Sequence, residues 1–182
     1  MRATKQLHQP IIEACKRNDA KAQMQLYDLY SQAMFTIALR YVKDTYEAED
    51  VMQDAFIKAF KKIDTYKEEV AFGAWLKRIV INQSIDWLKK KKLTVISMNE
   101  EITSITEESD WEVASGITYE SIVGCIEKLS EKYRIVLTLY LLEGYDHTEI
   151  GQILGISEAT SRTHLMRGKK QVQEQLKTSY YA

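Results

Sequence analysis

The sequence predicts an all-α fold of two small helical domains joined by an acidic linker, with a helix-turn-helix as the second domain. Three observations predict it. One Pro and seven Gly are spread over 182 residues, so long stretches run without a natural break. Where apolar residues recur, they do so at spacings of three and four, the period of a helix, and no segment alternates convincingly as a strand would. Charge is the third observation. Residues 1–92 hold 17 Lys and Arg against 12 Asp and Glu, residues 93–119 hold no basic residue and six acidic ones, and residues 120–182 hold eight of each sign. The near-zero total conceals a basic, an acidic and a neutral part.

Taken in order, helices are expected from Gln6 to Arg17, Ala20 to Val42, Thr45 to Ile63 and Ala71 to Lys92. The third puts Met52, Phe56, Phe60 and Ile63 on one face. The fourth buries Phe72, Leu76, one of Ile79 and Val80, and later Trp87. Between these two, Asp64 to Val70 breaks the periodicity and reads as a short loop, a candidate for function because loops on rigid scaffolds often carry it. The run Lys89 to Lys92 closes the fourth helix, where positive charge suits the C-terminal end of the helix dipole.

From Leu93 to Thr118 the composition shifts to Ser, Thr, Glu and Ile and reads as a partly disordered linker. Trp111 and Val113 are its docking candidates. Helical periodicity returns over Tyr119 to Leu129, Ser130 to Leu142, Asp146 to Leu154 and Ser157 to Lys177. Ser130 is the expected N-cap ahead of Ile135, Val136, Leu139 and Leu142. Asp146 with Glu149 makes a capping box, and Gly155-Ile156-Ser157 makes a tight turn whose Ser caps the last helix.

Several function classes are disfavoured. No apolar run approaches the roughly 18 residues of a membrane span, and Met1 to Pro10 lacks the apolar core of a secretory signal, so a cytoplasmic protein without direct membrane insertion is expected. Cys15 and Cys125 stand far apart, with no CxxC and no neighbouring His; two buried thiols are expected, with no metal. The histidines His8, His147 and His164 are scattered, and there is no nucleophile motif, Walker loop or GxGxxG. A binding protein is therefore expected over an enzyme, with neither a cofactor nor a small-molecule substrate.

The strongest signal is Asp146 to Lys177: a short helix, a turn containing Gly, and a longer helix, the outline of a helix-turn-helix. Ile150 and Leu154 form the apolar face of the first helix, and Gly151 is small enough for a close crossing. In the second, Ser161, Leu165, Gly168, Val172 and Leu176 make one inward stripe. Arg162, Thr163, Met166, Arg167 and Lys170 lie opposite. Arg can reach guanine with two hydrogen bonds, Thr a thymine methyl or a phosphate, and Lys a phosphate. A lone basic helix would read as a solvated face; the capped first helix and turn favour DNA reading.

On the fourth helix, Arg78, Asn82, Asp86 and Lys89 step along the face away from Leu76 and Val80, with Tyr66, Phe72 and Trp75 near its start. Charge for a backbone and flat rings for unstacked bases suit single-stranded DNA. On the third helix, Glu47, Asp50 and Asp54 share a face beside Gln53. That face fits a basic partner or an idle solvated surface, and periodicity does not decide between them.

Glu49 to Phe60, Phe72 to Asn82 with Asp86 to Lys90, and Leu129 to Lys170 strongly resemble, in order, bacterial sigma factors of the extracytoplasmic-function group. The resemblance covers most of residues 7–92 and 120–177. It implies a two-domain initiation factor that binds core RNA polymerase and directs it to promoter DNA. The first domain would meet the polymerase clamp through Asp50, Gln53, Asp54 and Phe56. It would open the minus-ten element through the Asp64 to Val70 loop with Arg78 and Asn82, supported by Tyr66, Trp75, Asp86 and Lys89. The second would read the minus-thirty-five element with Arg162, Thr163, Met166 and Arg167, while Ser157, Thr160 and Lys170 hold phosphates. The acidic linker matches by position the segment threaded through polymerase toward the RNA exit path, and an anti-sigma protein is the expected regulator.

The sequence departs from the usual pattern of the family it resembles in three places. Ser161 stands where many members have a buried Val, Gly168 where Ala is usual, and Ser130 where Pro is common. Gly168 is expected to loosen the recognition helix, at a cost of about 1 kcal/mol relative to Ala. A competing reading is a conventional dimeric helix-turn-helix regulator, with residues 1–92 as a ligand-sensing or dimerising domain, binding palindromic duplex alone. A small helical enzyme acting on nucleic acid is the third, and it lacks any convergent acid, base or metal set.

Overall fold

The computed structural model describes residues 8–91 and 117–180, which are helical and divide into two compact units, with the division between Leu93 and Thr94. The start of the first expected helix, Lys92 and nearly all of the expected linker, including Trp111 and Val113, lie outside the described residues.

The first unit holds α1 (Gln9–Lys16), α2 (Ala20–Val42), α3 (Thr45–Lys61), a 3-10 turn (Ile63–Thr65) and α4 (Phe72–Lys91). Pro10 stands in the first turn of α1, where its missing N–H deprives the helix of nothing. The Asp19 carboxylate caps α2, accepting from the N–H groups of Lys21 and Ala22 at 2.9 and 3.0 Å. At the far end Lys43 is left-handed, at φ 63°, and donates its N–H to the Leu39 carbonyl. Asp44 follows at once and caps α3 through the Glu47 N–H at 3.0 Å. A connection this short makes neighbours of α2 and α3.

Helices α2, α3 and α4 pack on one another, and α1 packs on α2. Ala38, Ala48, Ala55 and Ala59 line the contact faces, so the helices approach closely around Leu26, Val51, Met52, Leu76 and Val80. Each fully buried Leu or Ile contributes roughly 1.5–3 kcal/mol relative to exposure. Of the two alternatives on α4, Val80 is fully buried. Ile81, Ile85 and Leu88 are buried as well, whereas Trp87 is only half-buried. Ser84, fully buried among them, donates its hydroxyl to the Val80 carbonyl at 2.8 Å.

The second unit holds α5 (Tyr119–Lys128), α6 (Glu131–Leu137) running into a π turn (Thr138–Leu142), α7 (His147–Leu154) and α8 (Glu158–Tyr180). The helix expected from Ser130 to Leu142 is thus two segments, the second closed by a Glu143 N–H donated to the Thr138 carbonyl, five residues back, at 3.1 Å. Ser130 occupies the N-cap of α6, but its side chain makes no capping hydrogen bond; its carbonyl receives the Tyr133 and Arg134 N–H groups instead. The Asp146 and Glu149 capping box is formed on α7, and Gly155 closes that helix at φ 74°. Helix α8 packs on α5, α6 and α7 through the expected stripe, with Ser161, Leu165, Gly168, Val172 and Leu176 all buried. Cys15 and Cys125 are free and buried, and burial together with Asp19 pushes the Cys15 thiol up to about 11.

Candidate nucleic-acid and polymerase interfaces

The helix-turn-helix is closed by backbone geometry. The N–H groups of Gly155 and Ile156 both donate to the Gly151 carbonyl, at 2.8 and 3.1 Å. A Cβ at Gly151 would stand 2.8 Å from the Ile156 carbonyl oxygen, so the close approach Gly151 permits is to the turn itself. The Ser157 Oγ then accepts the Thr160 N–H at 3.0 Å, and the two hydroxyls pair at 2.8 Å. This fixes the start of α8.

On the outer face of α8, Arg162 and Lys170 are exposed, while Thr163, Met166 and Arg167 are half-buried. These five occupy one side of the helix together with Thr160, and Ser157 stands at its head. Glu158 bridges Arg162 at 3.7 Å and accepts the Thr148 hydroxyl at 2.6 Å. The Thr163 hydroxyl donates to the Ala159 carbonyl at 2.9 Å. Behind this face lies a contact that pattern reasoning missed: His147 Nδ1 and Ser161 Oγ are 2.8 Å apart, and both side chains are buried. Ser161, as the polar member of an apolar stripe, was the available signal, because buried polar groups are paired. His164 is buried too, edge-on to Tyr133 at 5.6 Å.

In the first unit, Arg78, Asp86 and Lys89 are exposed on α4, and Asn82 and Trp75 are half-buried. Tyr66 does not join them at the surface. It is only 3% exposed, packs against Phe72 and Trp75 at 5.4 Å, and donates its hydroxyl to the Val70 carbonyl at 2.7 Å. Its burial, with help from Glu68, pushes the phenol above its ordinary value. The expectation of a base-contacting Tyr66 is corrected: the ring is spent inside, where it shapes the loop. That loop is also held from α1, since Gln9 donates to Glu68 at 2.6 Å and Lys16 lies 3.9 Å from it.

On α3, Asp50, Gln53 and Asp54 are exposed on one face, and Gln53 reaches back to Glu49 at 3.4 Å. Phe56 is not on that face. It is 2% exposed and packs against Tyr27 at 4.9 Å, so its expected partner contact is corrected to a core role. Glu47 leaves the acidic patch as well, because it accepts the Trp87 indole N–H at 3.0 Å and pairs with Lys91 at 3.7 Å. Two residues unforeseen from sequence take their places. Tyr46 and Ile57, 82% and 53% exposed, flank the carboxylates along the same stripe. Among the described residues, no cluster of His, Cys, Asp and Glu is arranged to hold a metal ion, and no helix is long and apolar enough to cross a membrane.

A two-unit helical protein with a capped helix-turn-helix in its second unit and a polar, cationic helix face in its first is a DNA-binding transcription protein by class. Residues 26–94 match Sigma-70 region 2, and residues 119–172 match Sigma-70, region 4. The chain is 31% identical over 181 residues to the ECF RNA polymerase sigma factor SigW of Bacillus subtilis, covering 91% of this chain and 95% of that one. It is 28% identical over 149 residues to SigM of the same organism, covering 81% and 91%. The sigma factor RpoE of Bartonella quintana, solved in complex with the anti-sigma factor NepR, shares the fold with a TM-score of 0.52 at 22% identity, covering 85% of this chain and 96% of that one. The chain belongs to the extracytoplasmic-function group of RNA polymerase sigma factors, and serves core RNA polymerase in transcription initiation at promoters.

Proposed function

We propose that the two units divide the promoter between them. Helix α8 enters the major groove of the minus-thirty-five element, with Arg162, Thr163, Met166 and Arg167 toward bases and Ser157, Thr160 and Lys170 toward phosphates. The outer face of α4, with Trp75, Arg78, Asn82, Asp86 and Lys89, receives the minus-ten strand beside the loop that Tyr66 shapes from within. Asp50, Gln53 and Asp54 meet the polymerase clamp, with Tyr46 and Ile57 supplying apolar contact around them. The chain acts by binding rather than by catalysis, in the cytoplasm where polymerase works.

The observation that carries this reading is the outer face of α8, where five side chains suited to base and phosphate contact share one side of a helix capped and angled by a closed turn. An anti-sigma protein, such as the partner of the Bartonella relative, is the expected regulator, and the exposed Tyr46 and Ile57 give it apolar surface to cover. Footprinting of the assembled holoenzyme on a promoter tests the division. Arg162→Ala with Arg167→Ala removes protection at minus-thirty-five, and Arg78→Ala with Asn82→Ala slows strand opening. Loss of both functions in both variants contradicts it.

A further inference from the structure

The buried pair of His147 and Ser161 stands where α7, α8 and the π turn come together. His147 opens α7, directly after the capping Asp146, and its ring stacks on Tyr140 of the π turn at 4.8 Å and 24°. Ser161 lies one turn into α8, fully buried, with its Oγ 2.8 Å from His147 Nδ1. Its immediate neighbour is Arg162, foremost of the outward residues. A hydrogen bond at this place fixes the depth and the rotation of α8, and loss of one partner alone leaves the other buried and unmatched, which drives α8 off that rotation.

We propose that His147 is a positioning residue for promoter recognition, holding α8 through Ser161 in the rotation that aims Arg162, Thr163 and Arg167 at bases. This rests on the reading of α8 as the recognition helix. Recognition by paired hydrogen bonds tolerates errors of about 10–20° in orientation, so a small roll of α8 weakens the preferred sequence more than it weakens general DNA binding.

The surroundings give the device a pH dependence. Arg162 and Lys169 of α8 oppose a charge on His147, while Glu158 of α8 and Asp146 at the head of α7 favour it; the Tyr140 ring stacks on it from the π turn. Burial is the largest influence, followed by Arg162, and both hold the imidazole neutral to lower pH than usual. Once charged, the ring is driven out toward water and releases Ser161. Added positive charge alone would strengthen DNA binding. The proposal predicts the opposite sign for sequence preference.

The test uses the full chain assembled with core RNA polymerase, and a duplex selected by that holoenzyme from a randomised pool at about pH 7.5. The readout is the affinity for that duplex divided by the affinity for a scrambled one, from about pH 8 to about pH 5.5. Ser161→Ala and His147→Phe each leave a buried polar partner unmatched and lower the ratio roughly tenfold at neutral pH, while the wild-type ratio falls by a similar factor in acid. The double variant H147F/S161V replaces both partners by apolar groups, recovers most of the ratio and shows no acid loss. Single variants that keep the wild-type ratio and pH profile overturn the proposal, as does a double variant that is not rescued. A wild-type holoenzyme with no sequence preference overturns the reading of α8 along with it.

Discussion

Trp87 of α4 donates its indole N–H to Glu47 in the first turn of α3 at 3.0 Å, and Lys91 completes the group, 3.7 Å from the same carboxylate and 4.5 Å above the Trp87 ring. This cross-tie joins the late part of one helix to the start of another, and it separates Glu47 from the acidic residues it neighbours in sequence. Glu47→Gln keeps an acceptor for the indole and is expected to leave polymerase affinity within about fivefold, because an exposed pair of this kind contributes at most about 1 kcal/mol. Titration of labelled protein with core polymerase checks it. A loss comparable to that of Asp50→Lys would return Glu47 to the binding face.

Tyr66→Phe tests the corrected role of that residue. The ring and its packing are kept, and only the hydroxyl to the Val70 carbonyl is lost. The expected cost is about 1 kcal/mol of stability, seen as a drop of several degrees in the melting temperature of the first unit, with slower promoter opening as the loop relaxes. An unchanged melting temperature would contradict the loop-shaping role.

Gly168 tests a packing claim. Read from sequence, it weakens the recognition helix; in the structure, a Cβ there would overlap Cδ1 of Leu137 and stand 3.3 Å from Cβ of Tyr133. Leu137 is fully buried and has little room to yield. Gly168→Ala gains about 1 kcal/mol in helix propensity and loses roughly 1–3 kcal/mol to overpacking, for a net loss. Thermal melting followed by circular dichroism should show the second unit less stable, and a raised melting temperature would show that α6 and α8 can part without cost.

Acid should weaken the second unit. His147 has a folded-state pKa below its ordinary value, first through burial and then through Arg162. The unfolded chain therefore takes up the proton first as pH falls. Stability from this group is complete above about pH 6.5 and declines below it, toward the lowered folded-state value. Melting temperature measured against pH should show this decline in the wild type and a smaller one in His147→Phe. An equal decline in both would assign the acid sensitivity elsewhere.

The helix ends were legible because their signals are local. Asp146 and Ser157 each cap a helix through the N–H three residues on, and Gly155 takes the left-handed turn its position demands, whereas the Ser130 side chain, expected as a cap, makes no capping hydrogen bond. The inward stripe of α8 was legible for the same reason, since its spacing is set by the helix itself. Whether an aromatic side chain faces in or out depends on what packs over it. Phe56 and Tyr66 went to the core because Tyr27, Phe72 and Trp75 meet them there, while Tyr46 and Ile57 stayed outside because no element covers that face of α3 among the described residues. The partnership of His147 with Ser161 spans 14 residues and two helices, and the periodicity of either helix alone does not contain it.

The most direct test of the central claim is capture of purified bacterial core RNA polymerase by the tagged chain, repeated with Asp50 and Asp54 both changed to Lys. Stable capture by the wild type, abolished by the reversal while the variant keeps its helical signal and melting temperature, is the predicted result and places the polymerase-binding surface on α3. A chain that fails to capture core polymerase, and instead shifts palindromic duplex DNA alone as a dimer, would contradict it.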